Sequence, residues 1–531
     1  MKAQLDLAQD YMNDVQELRG FFPHDYRHPP DPEFVEKVAK GADSALVDEI
    51  KSCNEALGAD GKALQNIEAL REGDSAVVVT GQQPGIFTGP LYTVYKALAA
   101  VRLSERYSKT LKRRVVPVFW VASDDHDFEE IRTARFVDWR GRVSPLSYAF
   151  KDAEPGLSAF DIPADSELLG DLVRTFDEET SDHESKEEIV EFLKTSLNEE
   201  QSLADWFGRL LLKLFRGTGL IVFFPHGRRA RELAADVLAE EIRSPGATTN
   251  LIQEASARLA SLKYKPQIEK KANETHFFLY ANRNRRKVLF ERDRYYVPDE
   301  NLSFSVADME GMCRSEPERF SPNAVLRTVV QGTLLPTLDY VGGPGEIAYW
   351  AQLGKVFERF GVPMARLHPR PGVVLVNRRC EKLMQKHCIE AAQITSGKDD
   401  VLVDRCSLIE KSSHEETLRE TAERIAAEFE RYVAQVSTVD ASLGAGATKL
   451  RQKTEYALGK LAEKAAGMQH RQTEQLEAEI AELRAILFPL GKPQERVLNI
   501  FPYLMESGWG LIPGLLRDIN VDRADYQAVT I

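Results

Sequence analysis

Three polar segments of the sequence could do chemistry, and each follows an apolar run. The densest is SDDHDFEE (123–130), where Asp124, Asp125, Asp127, Glu129 and Glu130 surround His126. Crowded carboxylates are expected to raise the pKa of some members and of the histidine. Such a loop suits His126 as a general base, an ammonium site, or a divalent cation site. A solvated acidic loop that caps a helix is the plainer alternative. The second segment is TGQQPGIFTGPLYTVYK (80–96), directly after SAVVV (75–79). Gly81, Gly85 and Gly89 permit close backbone approach and positive φ. Pro90 suits the first turn of a helix over 91–103, whose free N–H groups favour a phosphate or carboxylate. Thr80, Gln82, Gln83, Thr88 and Tyr92 supply polar side chains. Lys96 would stabilise developing negative charge if it faces the cleft; a helix-surface lysine is the alternative. Neither GxxxxGK[ST] nor GxGxxG occurs. The third segment, LDYVGGPGEIAYWAQL (338–353), carries Gly342, Gly343 and Gly345 before a helix. Glu346, Tyr349 and Gln352 would lie near one face of it. A tight structural turn is the alternative for both glycine-rich segments.

The elements that must position these residues alternate. Strand-like runs occur at 75–79, 115–121, 219–224, 361–367 and 372–376, with helical stretches such as 90–109 and 229–243 between them. Continuous apolar strands alternating with helices predict an α/β doubly wound fold around a parallel sheet. Ligands in such sheets bind beyond the carboxyl ends of the strands. The expected layout is a core over 1–150, an acidic insertion over 151–205, core again over 206–248, a strand-rich insertion over 249–300 and core over 301–385. A helical arm over 386–490 follows, then helices over 491–531 that fold back on the core. In the arm, Leu418, Ala422, Ile425, Phe429, Tyr432 and Val436 recur at spacings of four and three. After SLGAGAT (442–448) the pattern resumes with Leu458, Leu461, Ala465 and Met468, then Leu476, Ile480, Leu483 and Leu487. This predicts an antiparallel coiled-coil hairpin with a glycine turn and a second helix of about 60 Å. The arm would make a homodimer; a hairpin that buries its seam only on itself is the alternative.

Composition narrows the class. The 531 residues carry a net charge of −13, which argues against a nucleic-acid or anionic-membrane partner. The segment MKAQLDLAQDYMNDV lacks the apolar core of a signal peptide, and no stretch reaches the ~20 apolar residues of a membrane span. Cys53, Cys313, Cys380, Cys388 and Cys406 are scattered, with no CxxC pair. The expectation is a reducing cytoplasm and structural cysteines, with neither a disulfide framework nor a zinc ribbon and no residue assigned as a metal ligand.

TGQQPGIFTGPLYTVYKA, PVFWVASDDHDFEEI, RFSPNAVLRTVVQGTLLPTLDYVGGPGEIAYWAQL and PLGKPQERVLNI together resemble the cysteine-ligase family of bacillithiol biosynthesis (BshC). The resemblance spans nearly the whole chain, departing mainly in 151–300 and in HPRPGVVLVNRR (368–379). It implies a Rossmann-like core with two connecting-peptide insertions and a coiled-coil arm that makes the dimer. It also implies an activity: joining L-cysteine to glucosaminyl-malate to give bacillithiol. The family's layout is similar to class I aminoacyl-tRNA synthetases, but HIGH and KMSKS are absent here, so an adenylate route rests on analogy.

Making an amide from a carboxylate and an amine in water is uphill, so activation by ATP with Mg²⁺ is the physical expectation. The turn at 81–89 would bind phosphate or the substrate carboxylate. The loop 124–127 would bind an ammonium, and His126, with Asp125 and Asp127, would handle its proton. Two other classes fit parts of the pattern. One is a metal-dependent hydrolase with Asp124, His126 and Asp127 as ligands; the other is a coiled-coil scaffold with a relic pocket.

Overall fold

The computed structural model describes residues 6–150, 156–198, 201–390, 414–523 and 525–531. Cys406 and the start of the predicted arm lie outside them. The chain divides into two compact units, residues 1–377 with 494–531, and residues 378–493.

The first unit is built on five parallel strands: β1 (Ala76–Gln82), β2 (Val115–Val121), β3 (Ile221–Phe223), β4 (Thr337–Gly342) and β5 (Arg366–Pro369). Their spatial order is β5-β4-β1-β2-β3. In β2, Val116, Val118 and Trp120 enter one core while Phe119 and Val121 enter the other. Both faces of the strand are therefore covered, which is why its sequence reads as an unbroken apolar run. The helices used below are α1 (Leu91–Leu111), α2 (Phe128–Ile131), α3 (Arg228–Arg243), α4 (Ala324–Leu334) and α5 (Pro344–Trp350). Edge strand β3 is blunted by Asn54, whose amide accepts from the Val222 N–H at 3.0 Å and donates to its carbonyl at 2.7 Å.

The residues expected as insertions form elements of the first unit. Helices Ser166–Glu179 and Lys186–Thr195 pack Val173, Phe176 and Ile189 into the core that holds α1. The second insertion is an antiparallel sheet in the order Phe320–Pro322, Glu274–Ala281, Asn284–Glu291, Arg294–Val297, Leu302–Ser305. It therefore continues past residue 300. Two expectations for the last strands need correction. The predicted strand 361–367 forms later, as β5. The run at 372–376 forms Val373–Val376, which pairs in parallel with Gln527–Thr530 rather than with the main sheet. Gln494 secures it by bonding both the N–H and the carbonyl of Leu375.

The second unit contains two long helices, α6 (His414–Ser437) and α7 (Ala441–Leu487). Its 47 residues make α7 about 70 Å long, longer than expected. The turn is not at SLGAGAT but at 438–440, where Asp440 caps α7 through the Ser442 N–H at 2.6 Å. Gly444 and Ala447 instead lie inside α7 and are buried. A Cβ on Gly444 would collide with Ser437, so the small residues let two helices close tightly beside their turn.

Gly444→Leu is expected to destabilise the hairpin by about 1–3 kcal/mol through overpacking. Gly467, which has open space around it, is the control: Gly467→Ala should be neutral or stabilising by up to ~1 kcal/mol. Urea unfolding followed by circular dichroism separates them, and equal midpoints for both variants would refute the close approach.

Candidate active site

The chain runs outward from β1 to β2 and β3, then returns to place β4 on the other side of β1. The sheet's topological switch point thus lies between β1 and β4, where Thr80 aligns with Val341. The first and third polar segments leave the sheet there, and the acidic loop leaves neighbouring β2.

Lys96 is the centre of this region. It is buried on α1, not on the helix surface, because that helix is enclosed throughout its first three turns. Its Nζ lies 2.5 Å from the Glu346 carboxylate, and donates to the Gly81 carbonyl at 2.8 Å and to Gln82 Oε1 at 3.0 Å. Glu346 Oε2 also accepts from the Gly343 N–H at 2.8 Å, and Oε1 from the Tyr340 hydroxyl at 2.5 Å. Burial holds the Lys96 ammonium below its ordinary range, against the pull of Glu346. Burial pushes the Glu346 carboxyl up, but Lys96, the Gly343 N–H and Tyr340 outweigh it and hold the group below its usual range. The pair stays ionised and ties the ends of β1 and β4 together.

The adjacent glutamines diverge. Gln82 faces the switch point, where its Nε2 donates to the Tyr92 hydroxyl at 3.3 Å. Gln83 reaches the acidic loop, where its Nε2 donates to Asp125 Oδ2 at 2.8 Å. These two side chains join the first and second segments into one polar surface.

The turn between them is held by residues far away in sequence. Phe87, Thr88 and Gly89 have φ of 52°, 68° and 69°. The expected left-handed positions were the glycines, yet Gly85 is extended and two non-glycine residues take that conformation. Phe87 is clamped by Phe176, Trp206 and Phe501, and Asn499 donates to the carbonyls of Phe87 and Gly89. The surroundings over-determine a costly backbone, as at many functional loops. Gly81 is required for a different reason: a Cβ there would stand 2.7 Å from the Trp120 carbonyl. At the predicted anion site at the start of α1, the Leu91 N–H is already taken by the Leu498 carbonyl at 2.8 Å. Pro344 supplies no N–H at the start of α5.

In the acidic loop the carboxylates have separate jobs. Asp124 is buried against Arg231 and accepts from Tyr280 at 3.2 Å. Asp127 caps α2. Asp125 keeps a partly exposed carboxylate, with Oδ1 accepting the N–H groups of His126 and Asp127 at 2.8 and 3.2 Å. Asp124, His126 and Asp127 do not converge, and among the described residues no three His, Cys, Asp or Glu side chains are grouped for a metal. The expected upward shift of His126 is reversed. Burial and then the Arg285 guanidinium lower its pKa, outweighing Asp125 and Asp127.

The other predicted residues fall into two groups. Tyr349 accepts from Arg327 at 2.8 Å, beside Tyr340, and so backs the switch point. Gln352 does not belong there: its amide bonds the backbone of Gln267 and Ile268 and the Ser256 hydroxyl, closing a distant loop. Thr80 donates to the Val341 carbonyl and Thr88 is fully buried. A Cβ on Gly342 would press on Glu346 and Leu367, so this glycine allows the charge pair to form.

Sequence reasoning missed Arg370 and His226. Arg370 pairs with Glu495 at 2.5 and 2.6 Å, while its buried Nε has no hydrogen-bond partner among the described residues and lies beside Gly343. His226, three residues beyond β3, shares a hydrogen with Ser123 at 2.7 Å. The signal available for both was position: each follows a strand's carboxyl end.

An open parallel sheet with polar side chains gathered at its switch point, in a chain that also carries a long helical hairpin, defines a Rossmann-like α/β protein with a coiled-coil domain. The family described as "Bacillithiol biosynthesis BshC, N-terminal Rossmann-like domain" matches residues 1–371, and its "C-terminal coiled-coil domain" matches 373–531. Proteins named "Putative cysteine ligase BshC" are similar over almost the full length. That of Salinibacter ruber is 32% identical, covering 99% of this chain and 96% of its own. That of Desulforamulus reducens is 31% identical over 96% and 95%, and that of Bacillus cereus 30% over 97% and 96%. The chain belongs to the BshC family.

Breaking this largely enclosed pair should be costly. Lys96→Met and Glu346→Gln are each expected to lose about 3–5 kcal/mol of stability, and the double variant clearly less than their sum. Additive losses in urea unfolding would mean that the two charges do not depend on each other.

Proposed function

We propose that the protein is a ligase that joins L-cysteine to the amine of glucosaminyl-malate, giving bacillithiol, with the cysteine carboxylate activated by ATP–Mg²⁺. The observation that carries this reading is the polar surface from Gln82 and Gln83 to Asp125, backed by the buried Lys96 and Arg370, in a chain of the BshC family. Both substrates present carboxylate and ammonium groups, and this surface offers donors at one end and a carboxylate at the other. The Arg370 Nε and the two amides would bind a substrate carboxylate. Asp125 would hold the ammonium and accept its proton as the amine attacks. The reactive carbon would then lie between donors that stabilise the developing oxyanion and a base that removes the proton.

We also read the arm as a homodimer contact. Leu443, Leu450, Leu461 and Met468 of α7 are each at least half exposed, whereas Leu476, Ile480 and Leu483 are buried. An apolar row of that length is what a second copy would cover. No helix among the described residues is long and apolar enough to cross a membrane. A cytoplasmic enzyme acting on small molecules is consistent with that and with the acidic charge.

Reconstitution with L-cysteine, glucosaminyl-malate and ATP–Mg²⁺ tests the reaction, scored by thiol product and by AMP or ADP. Product should form only with ATP, and Gln83→Ala should lower kcat/KM by about tenfold to a hundredfold. Equal rates without ATP would refute activation, and an unaffected Gln83→Ala would place the site elsewhere. For the arm, light scattering should give twice the chain mass, and Leu450→Glu with Leu461→Glu should give monomer. A monomeric wild type would contradict the dimer.

A further inference from the structure

His126 is the one histidine of the acidic loop, and its surroundings fix more than its position. Its ring meets Phe278 edge-on at 5.6 Å. The Arg285 guanidinium lies over the same Phe278 ring at 3.9 Å. All three nitrogens of Arg285 are committed: Nε to the Ser321 hydroxyl at 2.8 Å, one Nη to the Pro322 carbonyl at 2.7 Å, and the other to His126 Nδ1 at 3.2 Å. An arginine can only donate. His126 Nδ1 must therefore accept, and the single proton of the neutral imidazole sits on Nε2.

The neighbouring charges do not oppose this. Asp125 Oδ1 is 4.0 Å from Nδ1, beyond hydrogen-bond distance, and is engaged by two backbone N–H groups. Asp127 is turned to the start of α2. A proton added at Nδ1 would point at a guanidinium that three contacts hold in place. A general base must present a lone pair to its substrate. With Nδ1 occupied and Nε2 protonated, His126 presents an N–H instead.

We propose that Arg285 locks His126 as its Nε2–H tautomer, so that His126 donates a hydrogen bond to an anionic substrate oxygen instead of removing a proton. Arg285 acts through His126 and is a positioning residue. The amine's proton is then left to Asp125. The substrate oxygen in this statement rests on the amide-forming reading above; the tautomer does not. Burial and Arg285 also hold the imidazole below its usual pKa, which keeps it neutral at physiological pH.

The full chain labelled with [¹⁵N]histidine tests the tautomer by long-range ¹H–¹⁵N correlation at neutral pH, the His126 signals being those lost in His126→Gln. The expected result is a protonated Nε2 and an unprotonated Nδ1, with Arg285→Met moving the Nδ1 signal toward a tautomer average. A protonated Nδ1 in the wild type, or an Nδ1 signal unmoved by Arg285→Met, would overturn the proposal. Turnover adds a second arm. A glutamine amide can place an N–H near the Nε2 position, so His126→Gln should recover at least tenfold of the kcat/KM lost in His126→Ala. Equal losses of about 10²-fold or more in both variants would mark a general base and overturn the donor role. The spectra need no turnover, so failure of the ligase reaction and failure of the tautomer assignment are read separately.

Discussion

A buried lysine and a half-buried glutamate face each other across the point where the sheet reverses its winding. Removing two charges from water costs several kcal/mol each, and their attraction offsets that only with good geometry and further hydrogen bonds. Here both conditions are met: Lys96 has three oxygen partners and Glu346 has three donors. A well-packed apolar pair could be as stable. What the ions add is a fixed relation between the Gly81 carbonyl on β1 and the Gly343 N–H beyond β4. Both glycine-rich segments leave their strands there, so this relation sets where each turn begins.

The remaining wall of the cleft is supplied from the end of the chain. Leu498 closes the start of α1, Asn499 fixes the left-handed turn, and Glu495 orients Arg370. Residues 494–531 fold with the sheet although the matching family description groups them with the coiled coil. The division of the family by sequence and the division of this chain by packing therefore fall at different places. The short stretch QERVLN (494–499) thus helps to hold the candidate site in place alongside the motifs at the strand ends.

Much of this was legible from residue types. Strands β1 and β2 announced themselves as unbroken apolar runs because both of their faces are covered, and the two polar segments after them stood out for that reason; β4, interrupted by Asp339, was not among the predicted runs. What could not be read depended on partners distant in sequence. The run at 372–376 was recognisable as a strand, but nothing local states which strand it will join. Lys96 looked like a surface lysine because a helix enclosed on all sides has no polar face to reveal where it points. The upward shift expected for His126 counted only the carboxylates beside it in sequence; burial, and then Arg285 brought by the inserted sheet, outweigh them. SLGAGAT was taken for a turn because glycine usually breaks helices, whereas here small residues serve helix-to-helix contact.

The central claim is that substrate carboxylates bind at the switch point. A competing location exists: a cavity of about 860 Å³ lined by Phe21, His24, Lys37, Arg258 and Phe357, near 362–364 and so toward the amino end of β5. A crystal structure of the protein with glucosaminyl-malate separates the two directly. The account predicts the malyl carboxylates within hydrogen-bond distance of Gln82, Gln83 or the Arg370 Nε. Density for the ligand in the amino-end cavity, with the switch point empty, would contradict it.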